Sequence, residues 1–244
     1  MIAVMIAGAS AMVVSLFGTR FLITFFRNRG KGQPILGKED HGPEHHMQKQ
    51  GTPTMGGLAI IVSAFVGWMS AHVFRDRLAF STQAMILWCG VLIMSFMGFL
   101  DDYIKITKSH NRGIFWKRKS WITLSLAMGV AWWLSAGTGI SETLSFTRAT
   151  SPGWTLHTIV WIVWAGVIIW ATTNAVNVTD GLDGLAGGSA MMGFVAFAII
   201  GYWAFRNPSI YGAVVNPLDL AAVAAGFAGA CGGFLWFNAA PARI

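Results

Sequence analysis

The segment Asn174-Ala175-Val176-Asn177-Val178-Thr179-Asp180-Gly181-Leu182-Asp183-Gly184-Leu185-Ala186-Gly187-Gly188 carries more chemistry than any other in the chain. Asn177, Asp180 and Asp183 recur every three residues, so a helix over this stretch would put all three on one face. Amides suit the edges of a nucleobase or sugar, carboxylates suit a hard cation, and glycine lets a ligand approach the backbone closely. A helix cap needs one such residue and not four. The spacing is also wrong for an EF-hand, which requires closer aspartates and a closing glutamate.

A second acidic group, Asp101-Asp102, follows directly on Gly98-Phe99-Leu100. Adjacent carboxylates at a helix end repel each other and need a cation, a base or solvent beside them. Lys105, one helical turn after Asp101, is the nearest candidate in sequence. A third group runs from His45 to Gly57. There Lys49 is a point charge suited to phosphate, Thr54 is a neutral donor, and Gly56-Gly57 allow close packing at a helix start. His41, His45 and His46 read as solvated loop residues. From Asn111 to Lys119, basic residues surround Phe115 and Trp116, a composition that draws a segment to anionic headgroups.

The elements that position these groups are apolar. Of the 244 residues, 55% are hydrophobic and 11% charged, against roughly 25% charged in soluble domains. Runs long enough to cross about 30 Å of hydrocarbon fall near 2 to 26, 55 to 74, 83 to 100, 120 to 140, 156 to 173, 185 to 205 and 219 to 237. The fold expected is therefore an all-α, polytopic membrane bundle of about seven spans, forming one membrane domain over 1–244. The first run is too long for a signal-peptide core and remains as a helix. Cys89 and Cys231 lie inside apolar runs and suggest neither a disulfide nor a zinc site.

Charge sets the orientation. Loops 27–54, 101–119, 174–184 and 238–244 hold twelve Lys and Arg, against four in loops 75–82, 141–155 and 206–218. The first set is then cytoplasmic and the N-terminus outside. Asp101, Asp102, Asp180 and Asp183 fall on the cytoplasmic side, while Asp76, Glu142 and Asp219 fall outside. The net charge of +7 is thus a matter of cytoplasmic loops and membrane lipid, and nucleic acid is excluded as a partner. Carboxylates gathered at one face favour a soluble, charged, metal-bound substrate. A transporter places such groups near the midplane, and here Arg20 alone is clearly inside a span.

Gly51-Thr52-Pro53-Thr54-Met55-Gly56-Gly57, Asp101-Asp102-Tyr103-Ile104-Lys105 and the 174–188 segment together resemble the signatures of the phospho-N-acetylmuramoyl-pentapeptide transferase family, within the polyprenyl-phosphate sugar-1-phosphate transferase superfamily. The resemblance implies a bacterial inner-membrane enzyme with a cytoplasmic site. Such an enzyme moves phospho-MurNAc-pentapeptide from UDP-MurNAc-pentapeptide to undecaprenyl phosphate with Mg²⁺, giving lipid I and UMP. Carried over by motif, Asp101, Asp102 and Asp183 are catalytic, one of the 101–102 pair acting as base or nucleophile towards the lipid phosphate. Lys49, Thr54, Asn177, Asp180 and Asn238 bind substrate, and Asp180 and Asp183 support the metal. Homodimers are a further implication of the family. Its members have about ten spans and continue past a segment like Asn238 to Ile244 into a Phe-Met-Gly-Asp motif whose Asp is the main Mg²⁺ ligand. By that comparison the chain is C-terminally truncated. A sister enzyme that passes GlcNAc-1-phosphate to the lipid shares the acidic motifs, and the 51–57 wording favours the muramoyl enzyme. A transporter or non-catalytic membrane protein is the remote alternative.

Overall fold

The computed structural model describes residues 1–28, 56–74, 78–108, 115–148, 151–211 and 216–244. Within them the chain runs α1 (Ile2–Asn28), α2 (Gly56–Val73), α3 (Thr82–Lys108), α4 (Trp116–Thr138), β1 (Thr143–Arg148), β2 (Ser151–Thr155), α5 (Thr158–Thr179), α6 (Leu185–Arg206), the single turn α7 (Pro208–Tyr211) and α8 (Pro217–Asn238). It is an all-α membrane bundle with one hairpin, β1 pairing antiparallel with β2.

Helix α8 is the centre, in contact with α1, α2 and α6. Its buried residues, among them Ala221, Ala225, Gly226, Ala230 and Gly233, are mostly small and occur all round the helix. The buried face of α1 is equally small, with Ala3, Ala7, Ala11, Ser15 and Thr19 at intervals of four. In hydrocarbon, helices gain little by hiding apolar surface from a solvent that is itself apolar, so small residues that let backbones touch do most of the holding. Three places need glycine outright. A Cβ on Gly229 would collide with the Gly8 carbonyl, one on Gly67 with the Ala7 carbonyl, and one on Gly233 would sit 2.6 Å from the Met12 carbonyl. Ser15 Oγ adds a buried hydrogen bond of 2.7 Å to the Ala230 carbonyl.

Six helices are long and apolar enough to cross a membrane: α1, α2, α3 as far as Ile104, α5, α6 and α8. The seventh expected span, 120 to 140, is α4. Its 23 residues suffice in length, but Ser120, Thr123, Ser125, Ser135 and four tryptophans lower its hydropathy. Both ends of α4 nevertheless lie beside α3. Lys119 reaches Asp101 at one end, and Gln83 Nε2 donates to the Thr138 carbonyl at the other. Helix α4 therefore runs antiparallel to α3 along the whole stretch from 83 to 101.

Two expectations need correction. The third run was expected to end near residue 100, yet α3 continues to Lys108, which places Asp101-Asp102 inside a helix and not at its end. The loop expected over 141–155 contains the hairpin, with Thr143 opposite Thr155 and Leu144 opposite Trp154. Glu142 closes its base, accepting from Ser135 Oγ and Thr158 Oγ1, both at 2.9 Å, and so fixes the end of α4 to the start of α5.

Candidate functional site

Adjacent residues on a helix point about 100° apart, and α3 uses that to separate its two carboxylates. Asp101 turns inward and is 3% exposed. Asp102 is half-buried and the more accessible of the two. The cation at Asp101 is Lys119, whose Nζ lies 2.9 Å from Oδ2. Lys119 is a partner that sequence proximity does not point to, since another helix supplies it; the side chain of Lys105, the nearest candidate in sequence, lies outside the described residues. Lys119 is in the first turn of α4, where the Phe115 cap offers no side-chain acceptor to the first backbone N–H groups. The positive end of the helix dipole and a partly exposed ammonium thus converge on one corner, an arrangement that attracts anions. Phe115 and Trp116 stand exposed beside it, with Lys117 Nζ 5.3 Å from the Trp116 ring centre.

The second group is built differently from the expectation. Asp180 and Asp183 do not enter a helix or share a face with Asn177. Helix α5 ends at Thr179, Asp180 is its C-cap, and α6 begins only at Leu185. The cause is local. Gly181 and Gly184 are poor helix formers, and Gly184 adopts φ +75, left-handed backbone that interrupts the helix before α6 can start. Asn177 is exposed on the last turns of α5 and Asp180 is exposed in the turn. Asn174 is spent within its own helix, its Nδ2 donating to the Trp170 carbonyl at 2.7 Å.

Asn238, the last residue of α8, joins this turn. Its Oδ1 accepts from Gly184 N at 3.1 Å and its Nδ2 donates to the Ile244 carbonyl at 2.8 Å. Asp183 Oδ2 accepts from Ala242 N at 3.1 Å. Asp183, Gly184 and Asn238 therefore clasp residues 239–244 against the 180–184 turn, a role for Asn238 and Asp183 that residue type alone did not reveal. Lys49, Thr54 and the three histidines His41, His45 and His46 lie outside the described residues.

Among the described residues, no group of three or more His, Cys, Asp or Glu comes close enough to hold a metal by itself. The donor chemistry still fits Mg²⁺, which takes oxygen ligands and is usually held by one or two carboxylates together with water and substrate phosphates. Asp101-Asp102 and Asp180 with Asp183 each supply such a pair.

Residues 84–244 match the family described as Glycosyl transferase family 4, and residues 49–61 match Phospho-N-acetylmuramoyl-pentapeptide-transferase signature 1. Proteins named phospho-N-acetylmuramoyl-pentapeptide-transferase are similar along the whole chain. The one from Frankia alni is 43% identical over 256 residues, covering 99% of this chain and 70% of its own length. Those from Streptomyces griseus and Corynebacterium kroppenstedtii are 38% and 39% identical, covering 99% and 100% of this chain and 70% and 72% of their own.

Proposed function

This chain belongs to the phospho-N-acetylmuramoyl-pentapeptide transferase family, and from that premise we propose how its residues serve the reaction. The reaction is transfer of phospho-MurNAc-pentapeptide from its UDP carrier to undecaprenyl phosphate in peptidoglycan synthesis. What carries the assignment is the likeness over 99% of the chain together with the signature at 49–61. The same signature favours the muramoyl donor over a GlcNAc donor.

An oxygen of the lipid phosphate attacks the sugar-linked phosphorus of the UDP-sugar, the bond to the UMP oxygen breaks, and UMP leaves. Asp102, half-buried and accessible, is the carboxylate we assign to the lipid phosphate, as the base that takes its proton. Asp101 is held as an anion by Lys119, and the corner they form with the start of α4 gathers the negatively charged reactants. Asn177 and Asp180 face solvent at the end of α5, where a uridine diphosphate can reach them. Asp183 and Asn238 shape the adjacent turn. Lys49 and Thr54 complete the pocket through the 49–61 signature. Mg²⁺, held by these carboxylates and the diphosphate, would draw charge from the phosphates and stabilise the leaving UMP.

The site is assigned to the cytoplasmic side of the bacterial inner membrane on the distribution of Lys and Arg between loops. Labelling single introduced cysteines from outside intact cells should modify position 148 and spare position 112. The reverse pattern would move the site to the other face.

The deciding experiment is UMP release from UDP-MurNAc-pentapeptide with undecaprenyl phosphate and Mg²⁺, for this chain and for a version extended through the Phe-Met-Gly-Asp segment of the family. Release that requires both lipid phosphate and Mg²⁺ supports the assignment. Silence from a folded extended protein, with activity on UDP-GlcNAc, would transfer the chain to the sister reaction.

A further inference from the structure

Helix α8 is buried on every side from Ala221 to Phe227 and then opens along one face. Ala228, Gly229, Gly232 and Leu235 are partly exposed there, at the spacing that keeps residues in line on a helix. Helices α1 and α6 pack against α8 on either side of this face. Between them lies a cavity of about 780 Å³, floored by those four residues of α8.

The walls are apolar. Met12 stands on the α1 side, and Met191, Val195 and Ile199 stand on the α6 side. Met12, Val195 and Ile199 are exposed, so the groove lies open to the surrounding hydrocarbon. The lining of α6 runs from Met191 to Arg206, about 22 Å of helix. The volume is that of a small-ligand cavity and roughly half of what a transmembrane helix of that length displaces. Acyl chains fit within it, whereas a helix would stand half outside.

The two ends of the groove differ. At the end away from the 180–184 turn, the lining includes Arg206, in the last turn of α6, with Tyr202 one turn further in. Arg206 is exposed, and among the described residues it is the one charged side chain in the lining, with no carboxylate beside it there. A guanidinium presents paired N–H donors that match two oxygens of a phosphate. A cation at the mouth of an open, chain-sized apolar groove is complementary to a molecule that joins an anionic head to hydrocarbon.

We propose that this groove seats an anionic diacyl phospholipid, with its phosphate on Arg206 and an acyl chain laid along α8 between α1 and α6. The small residues of α8 set the depth at which the chain lies, and Arg206 selects the head. A zwitterionic lipid brings its own cation to the phosphate and gains less from the guanidinium.

The test offers the full chain, purified in detergent, equal amounts of phosphatidylglycerol and phosphatidylcholine with matched acyl chains, and counts retained lipid by native mass spectrometry. The expected result is one phosphatidylglycerol retained per chain, preferred about fivefold, the upper range for an exposed ion pair. Arg206→Gln should abolish the preference. Arg20→Gln, which removes an exposed cation of α1 outside the groove, should keep it. Gly232→Leu should lower retention of both lipids, because its side chain enters a space where Met191 Sδ, at 3.4 Å, is the one neighbour of a Cβ. Equal retention of the two lipids by the unsubstituted chain, an unchanged preference in Arg206→Gln or an equal loss in Arg20→Gln overturns the proposal. So does a dimeric chain that retains no lipid, which gives the groove to a second copy, or displacement by equimolar undecaprenyl phosphate, which gives it to a polyprenyl lipid. The competition between lipids is read on the unsubstituted protein and holds even where a variant fails to fold.

Discussion

Asp101 and Asp219 are both buried carboxylates on helices facing neighbouring helices, yet they are satisfied in opposite ways. Asp219 is itself fully buried and is enclosed by donors from α2 and from the 78–81 segment. Asp101 is paired with Lys119, a lysine that is itself 24% exposed, next to a half-buried second carboxylate and an uncapped helix start. A carboxylate fixed by buried donors organises a structure. One paired with a partly exposed charge keeps the capacity to respond to another anion, and that contrast separates scaffold from site here.

Exchanging the two carboxylates for neutral residues should separate them most sharply. Asp101→Asn or Asp102→Asn is expected to lower UMP release by about a thousandfold with membrane insertion unchanged, the scale of losing an acid–base group. Asp183→Asn should also cost orders of magnitude, because it loosens the clasp on the 180–184 turn. Asp219→Asn should leave turnover per folded molecule within a few-fold. If Asp219→Asn inactivates and Asp101→Asn does not, the assignment of scaffold and site is reversed.

Next in size is stability. Asp219→Leu strands the buried Trp68 and Ser81 donors and is expected to cost about 3 kcal/mol, read as a lowered unfolding midpoint in detergent. Asp101→Leu should cost less, since Lys119 can turn towards solvent. Lys119→Ala is expected to reduce turnover by roughly thirtyfold through loss of the anion-gathering charge, with Lys119→Arg recovering part of it. The smallest effect belongs to Trp116→Ala. This exposed residue should change turnover by about twofold or less, while weakening retention on anionic vesicles. An equal loss from Trp116→Ala and Lys119→Ala would mean that the corner works by membrane contact and not by charge at Asp101.

The sequence displayed the bundle and its acidic segments because both are local signals: long apolar runs, and motifs contiguous in the chain. It hid what depends on residues far apart. Lys119 reaches Asp101 across 18 positions and a change of helix, and Asp219 meets Ser81 across 138. An aspartate three residues after Asn216-Pro217 reads as part of a helix start, which it is, with Asp219 N donating to Asn216 Oδ1. Nothing in that pattern announces its complete burial. The spacing of Asp180 and Asp183 fits a shared helix face, but only if a helix covers them, and Gly184 at φ +75 marks where it does not. The hairpin was missed because Thr143-Leu144-Ser145-Phe146-Thr147 alternates over only five residues between two long helices. Helix α4 lost its standing as a span to its serines and tryptophans, although its ends coincide with those of α3.

The close fit of α8 against α1 has a consequence for the order of assembly. Ser15 and its acceptor Ala230 are separated by 215 residues, so a ribosome releasing the chain from its N-terminus makes all the intervening helices before the two can meet. During that interval the grooves of α1 and α2, shaped for glycine and alanine, are filled only by acyl chains. In water such a delay would invite aggregation. In a bilayer the waiting surfaces lie in a medium as apolar as their eventual partner, so α1 can wait for α8 without that hazard.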